Sequence, residues 1–236
     1  MLLNDSRTPM PNATDLVAQI RSDLEPLKEK IRDHPYLSAL EAGQVQRVAL
    51  QAFAGHQHHI IASDLRSIAL LVARHGALPS RAFLVSTLQG EAAALDAIDA
   101  FARALGLSLD DLEAFEPRPA AHAYSAFVAW LALYGSDAEL AGAFLVNFAV
   151  WGANCKRMRV ALVKTYGFAE SQLTFFDLFA NLPPLDEDAE VVIQEGLDRG
   201  IPPRLIHRAA RMLQGYELMY WDAMAEVAGI QIGQRR

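Results

Sequence analysis

Apolar residues recur along most of this chain at intervals of three and four, the spacing of one helix face, and strand-like alternation is nearly absent. Start and stop signals divide that pattern. Asn12–Ala13–Thr14–Asp15 offers caps for a first helix over roughly 15–32, and the His34–Pro35–Tyr36 run breaks it. A second helix spans about 44–74 and ends in HGALP; a third spans about 81–105 and stops at Gly106. SLDDLEAFEPRPAAH reads as a short turn of helix followed by a proline-rich loop. Helices over about 120–134 and 137–165 follow, the latter ended by Tyr166–Gly167. A short helix near 170–180 leads into NLPPLDED, and the last two, roughly 186–199 and 203–228, are separated by RGIPP. There is no internal repeat, and no break has the length of a linker. The pattern predicts one all-α domain over residues 1–236, a bundle of seven or eight helices with an irregular start over about 1–14.

Polar residues that land on an apolar stripe are informative, because burying them costs free energy unless they find partners. In the last helix one stripe reads Ile206, Ala210, Leu213, Glu217, Tyr220, Met224. A carboxyl there is desolvated and its pKa raised, as a general acid or base near neutral pH requires; the alternative is a structural carboxylate bonded to Arg or Tyr. In the 137–165 helix the stripe is Leu140, Phe144, Asn147, Trp151, Asn154, Met158, either a polar wall facing a ligand or a pair of hydrogen-bonded core amides. In the 44–74 helix it is Phe53, Gln57, Ile60, Asp64, Ile68, Leu71.

The conspicuous stretch GHQHHII (55–61) carries His56, His58 and His59. His56 and His59 lie a face away from that stripe and neighbour each other, but companions for a metal are missing: no Glu-x-x-His pair of the kind di-iron bundles use occurs anywhere. A solvated or partly buried histidine face is expected, with no metal and no cofactor. Cys155, the only cysteine, excludes an intramolecular disulfide framework and suits a reducing cytoplasm. It reads as inert filler in a helix interior.

Composition narrows the partners. Net charge is −7 with no basic patch, which argues against nucleic acid. Mean hydropathy is +0.12, the apolar run from Leu140 to Ala153 is too short to span a bilayer, and the first fifteen residues lack the pattern of a signal peptide. A cytoplasmic protein that engages no membrane is expected.

Four stretches, in order, resemble the TenA (thiaminase II) family and its wider heme-oxygenase-like group, which includes pyrroloquinoline-quinone synthase. They are HPYLSALEAGQVQRVALQAFAGHQHHI, GEAAALDAIDAFARALGLSLDDLEAFEPRPAAHAYSAFV, FLVNFAVWGANCKRM and YELMYWDAMAE, the last being the most specific. The resemblance spans about His34 to Ala228 and implies one helical bundle whose central pocket holds a small heteroaromatic molecule. Active members hydrolyse aminopyrimidines or thiamine with a cysteine nucleophile, a proton-transferring glutamate, an aspartate and several tyrosines. The glutamate falls on Glu217 and one tyrosine on Tyr124; the aromatic three after the glutamate becomes Tyr220. The aspartate falls on Gln57, the tyrosine three residues later on Ile60, the nucleophile on Asn147 and the tyrosine a turn beyond it on Trp151. An amide lacks the nucleophilicity of a thiolate, so the covalent route is expected to be lost. The family's metal-dependent oxidases place ligands where this chain has Phe179, Pro183 and Asp186, which removes that reading too.

The resemblance and the stripes together predict a small-molecule pocket lined by Gln57, Tyr124, Asn147, Trp151, Glu217 and Tyr220, with Glu217 as acid/base if the protein is an enzyme. The alternative is a non-catalytic binding or regulatory protein on the same fold; a third reading, heme or iron on His56, His58 or His59, ranks below both. Homo-oligomerisation is expected from the resemblance alone.

Overall fold

The computed structural model describes residues 12–233. The expectations of an irregular start and of no signal peptide fall, up to residue 11, outside the described residues. Helix α1 (Ala13–Arg32) is capped by Asn12, whose side chain accepts from the Asp15 backbone N–H. The His34–Pro35–Tyr36 run does more than break it. His34 Nδ1 accepts from the Tyr36 N–H and Pro35 occupies the first helical position, so the same residues start α2 (Pro35–Glu41). Helices α3 (Arg47–His75), α4 (Arg81–Ala104) and the single turn α5 (Leu109–Glu113) follow. Then come α6 (Pro119–Tyr134) and α7 (Asp137–Lys164), the latter opened by a capping box between Ser136 and Glu139. The short helix expected near 170–180 is split at Leu173 into a 3₁₀ turn (Glu170–Gln172) and α8 (Thr174–Ala180). Helices α9 (Asp186–Asp198) and α10 (Pro203–Val227) close the chain. No strand occurs among the described residues, and none of their helices is long and apolar enough to cross a membrane.

The long helices pack as a bundle, with α3 lying along α4 and α6 and α10 along α7 and α6. Their apolar faces form two clusters rather than one. An aromatic-rich cluster gathers Tyr36, Phe53, Phe101, Phe175, Phe176 and Trp221; a second, mainly aliphatic, gathers Val17, Ile68, Leu131, Leu140, Ile193 and Leu213. Six helices, α1, α3, α4, α6, α7 and α10, contribute to both clusters, and four of them place a buried amide or carboxyl at the crossing. On α3 it is Asp64, between Ile61 and Ile68; on α4, Glu91, between Leu84 and Ala94; on α7, Asn147, between Val146 and Val150; on α10, Gln214 and Glu217, between Leu213 and Leu218. The bundle therefore has a polar waist. Tyr124 of α6 packs against both clusters at that level.

Candidate functional site

The waist opens into a cavity of about 40 Å³. Gln57, Tyr124, Asn147, Trp151, Glu217 and Tyr220 all line it, together with Ile60, Ile61, Asp64, Glu91, Phe148 and Phe179. The volume is on the order of that of a few water molecules, so a ring-sized ligand requires the aromatic walls to move aside. Two walls have clear structural causes. Trp151 lies parallel to Phe53, with centroids 6.3 Å apart, and meets Tyr220 at a steep angle. Phe179 reaches the cavity because α8 approaches α7 closely at Gly152, where an added Cβ would sit 2.7 Å from the Phe179 carbonyl oxygen.

Glu217 is the best-held group. Its Oε2 accepts from Asn147 Nδ2 at 2.7 Å and from Gln214 Nε2 at 3.0 Å, and its Oε1 accepts from Trp221 Nε1 at 3.1 Å. The Tyr124 hydroxyl donates to Asn147 Oδ1 at 2.8 Å, so a chain of hydrogen bonds runs from Tyr124 through Asn147 to Glu217. The partners are two amides and an indole rather than the Arg or Tyr of the structural alternative. Burial pushes the Glu217 carboxyl up to about 8; the bonds from Trp221 and Gln214 favour the ionised form but only partly offset it. Near neutral pH such a group can give or take a proton. The same burial, with Asp64, Glu91 and Glu217 nearby, holds the Tyr124 hydroxyl protonated.

Across the cavity Asp64 and Glu91 form a second acidic element. Burial raises both, Glu91 to about 8, and the neighbouring Glu91 raises Asp64 further. Asp64 Oδ1 is buried without a hydrogen-bond partner. Asp64 stood on the α3 stripe with no role assigned; Glu91 was missed. Its signal was legible, since Glu91 interrupts the α4 stripe Leu84, Leu88, Leu95, Ile98. Gln57 lies beside the Tyr220 hydroxyl, short of a well-formed hydrogen bond.

Other expectations divide. Asn154 shares the Asn147 stripe but faces the core, donating to the Ile31 carbonyl at 3.5 Å. Of the α7 amides only Asn147 lines the cavity. Cys155 is buried outside the cavity lining, and burial together with Glu217 pushes its thiol well up, which keeps it un-ionised. The histidine face is more deeply set than a solvated face would be. His56 and His58 are buried and only His59 is half-buried. The reason is the 114–118 loop, which lays Phe115 over α3. The ring sits where a Cβ on Gly55 would be, 2.5 Å from its nearest atom, and edge-on to His56 at 4.8 Å. Burial, then the charges of Arg118, His59 and His122, bring His56 down to about 4, so it stays neutral. Among the described residues no three His, Cys, Asp or Glu side chains converge as ligands for a metal ion.

Comparison with known proteins places this architecture. The sequence profile of the TENA/THI-4/PQQC family matches residues 21–168, more than half of the chain. The chain belongs to the TENA/THI-4/PQQC family. No curated protein matches it closely enough in sequence to count as a relative. Among solved structures, a TenA homolog from Pseudomonas syringae pv. tomato aligns with TM-score 0.77 at 16% identity, over 93% of this chain and 97% of that one. A TenA homologue protein from P. horikoshii aligns with TM-score 0.72 at 18% identity, over 90% and 99%. A domain of unknown function with a heme oxygenase-like fold from Shewanella denitrificans aligns with TM-score 0.68 at 14% identity, over 92% of each chain. This TENA/THI-4/PQQC member thus has the heme-oxygenase-like fold. The profile match ends before α8 and α10, so Phe179, Glu217 and Tyr220 rest on the geometry rather than on that match.

Proposed function

We propose that this TENA/THI-4/PQQC protein binds a small flat heteroaromatic molecule in the waist cavity, with Glu217 as the proton-transferring group if the molecule is turned over. One observation carries the reading. Glu217 lines the cavity, is held by three donors, and still keeps a pKa of about 8. The aromatic side chains supply stacking surface, and Gln57 and Asn147 supply amides to orient ring substituents. The cysteine route of the family's thiaminases is expected to be absent: the resemblance sets Asn147 at the nucleophile's position, and Cys155 does not line the cavity. Hydrolysis of an aminopyrimidine-type substrate, or a cofactor-free oxidation, with Glu217 as acid/base is the chemistry left. The test is Glu217→Gln with aminopyrimidines and thiamine as substrates. Turnover is expected to vanish while the fold and ring binding persist; unchanged turnover removes Glu217 from the mechanism.

The amides at 57 and 147 favour a second reading, a binding or regulatory protein that has lost the chemistry. Saturable binding of those heterocycles with no turnover by the wild type selects it. Iron or heme on His56, His58 or His59 predicts a Soret band or bound metal in the purified protein, and a colourless, metal-free preparation disposes of it. Self-association is proposed from family membership and is read by sedimentation of the purified chain.

A further inference from the structure

Three carboxyls face the cavity, and its lining contains no Lys, Arg or His. Buried carboxyls are ordinarily paired with cations, since an unpaired charge away from water is costly. Glu217 has its donors; Asp64 and Glu91 do not share them, and one Asp64 oxygen has no partner. Five aromatic side chains, Tyr124, Phe148, Trp151, Phe179 and Tyr220, form most of the remaining wall, beside Ile60, Ile61 and the amides of Gln57 and Asn147. Aromatic faces attract a cation most strongly where water is excluded. Acceptors without donors on one side and π-faces on the other lack one component, a positively charged group bearing N–H donors. No metal-ion geometry exists among the described carboxyls, which leaves an organic cation.

We propose that the ligand of this cavity is an organic cation, a protonated amine or amidinium, whose N–H groups are taken by the Asp64–Glu91 pair while its body lies against the aromatic walls. This rests on the reading of the cavity as a ligand site and specifies the ligand's charge. A neutral ring with an amino group can also donate to Asp64 Oδ1, but an amidinium supplies two N–H donors together with the charge that stabilises ionised carboxylates. When the cation binds, the pair gives up a proton to solvent, so binding and proton release are linked. The groups facing the pair are Tyr124 from α6, Glu217 and Tyr220 from α10, and Gln57 on α3, with Phe179 from α8. The two tyrosine hydroxyls stay protonated throughout the working pH range, and Glu217 adds a further acid.

The experiment is calorimetric titration of the full chain with benzamidinium and with its neutral isostere benzamide, at pH 6, 7.5 and 9. Benzamidinium is expected to bind about tenfold more tightly or better, the equivalent of one hydrogen bond to a charged group. Its affinity rises with pH, and buffers of different ionisation enthalpy report proton release near neutrality. Asp64→Asn and Glu91→Gln, both nearly isosteric, are each expected to weaken benzamidinium about tenfold and to weaken benzamide far less, since only the cation loses a charge partner. Benzamide binding as tightly as the cation overturns the proposal and leaves the ring-binding reading standing. Benzamidinium binding that neither variant weakens also overturns it, and failure of both probes to bind overturns both readings.

Discussion

Glu217 and Asp64 are both carboxyls buried at the waist of the same bundle, both raised by burial, and both line one cavity. They differ in what surrounds them. Glu217 sits at the centre of a satisfied network of Asn147, Gln214 and Trp221, with Tyr124 behind Asn147. Asp64 has an oxygen with no partner and another carboxyl as its electrostatic neighbour. A satisfied buried carboxyl is held in one orientation by its surroundings, which suits an acid/base group that must meet a ligand at a defined angle. An unsatisfied one lowers the stability of the empty protein and gains most from a binding partner. Folding has thus completed one end of the cavity and left the other short of donors.

The largest effect should separate the two ends by stability. Glu217→Leu strands three buried donors and is expected to cost about 3 kcal/mol or more. Asp64→Asn removes no existing bond to Oδ1 and is expected to stay within about 1 kcal/mol at neutral pH. Urea unfolding measures both, and equal losses would erase the contrast.

The two ends should agree in their response to pH. Glu91 and Glu217, each raised from 4.5 to about 8, bind more protons in the folded than in the unfolded chain between those values. Their contribution to stability is therefore fully present below about pH 4.5 and is lost as pH rises through about 8. Melting temperature is expected to fall from pH 5 to pH 9, each 1 kcal/mol amounting to about 2–4 °C for a chain of this size. Glu91→Gln should flatten that slope and raise the melting temperature at pH 9. A slope of the opposite sign would show that neither carboxyl is held neutral.

The smallest effect tests the outer link of the satisfied network. Tyr124→Phe removes the donor to Asn147 Oδ1 and is expected to cost about 1 kcal/mol in the same unfolding measurement. A neutral result would mean that Asn147 finds another donor and that Tyr124 serves the cavity only as a wall.

Much of the satisfied end was legible from residue spacing. The α7 and α10 stripes place Asn147, Trp151, Glu217 and Tyr220 among apolar neighbours, and those residues converge at the cavity. The Tyr124 position came from the family resemblance instead, since the spacing of α6 does not single it out. At the other end Asp64 lies on the α3 stripe beside Gln57, and Glu91 interrupts the α4 stripe. A stripe reports that a residue is turned inward; it does not report whether inward means core or cavity. Asn154 shows the cost of that ambiguity, sharing a stripe with Asn147 yet ending against the Ile31 carbonyl. The histidines show the converse. Periodicity marks one face of α3 as inner, but α4, α5 and α6 all pack on that helix and Phe115 covers Gly55, so a second face is buried as well.

The sequence by itself determined the all-α class, the main helices and their caps, and the inward turn of Gln57, Asp64, Asn147 and Glu217, because these depend on a period of 3.6 residues within single segments. Only the tertiary structure decided that four helices set their buried amides and carboxyls at one level between two apolar clusters, that Glu91 meets Asp64 there, and that Phe148 and Phe179 close the walls. Those facts belong to the spacing between helices far apart in the chain. No local periodicity encodes which buried polar group finds its donors and which is left without them.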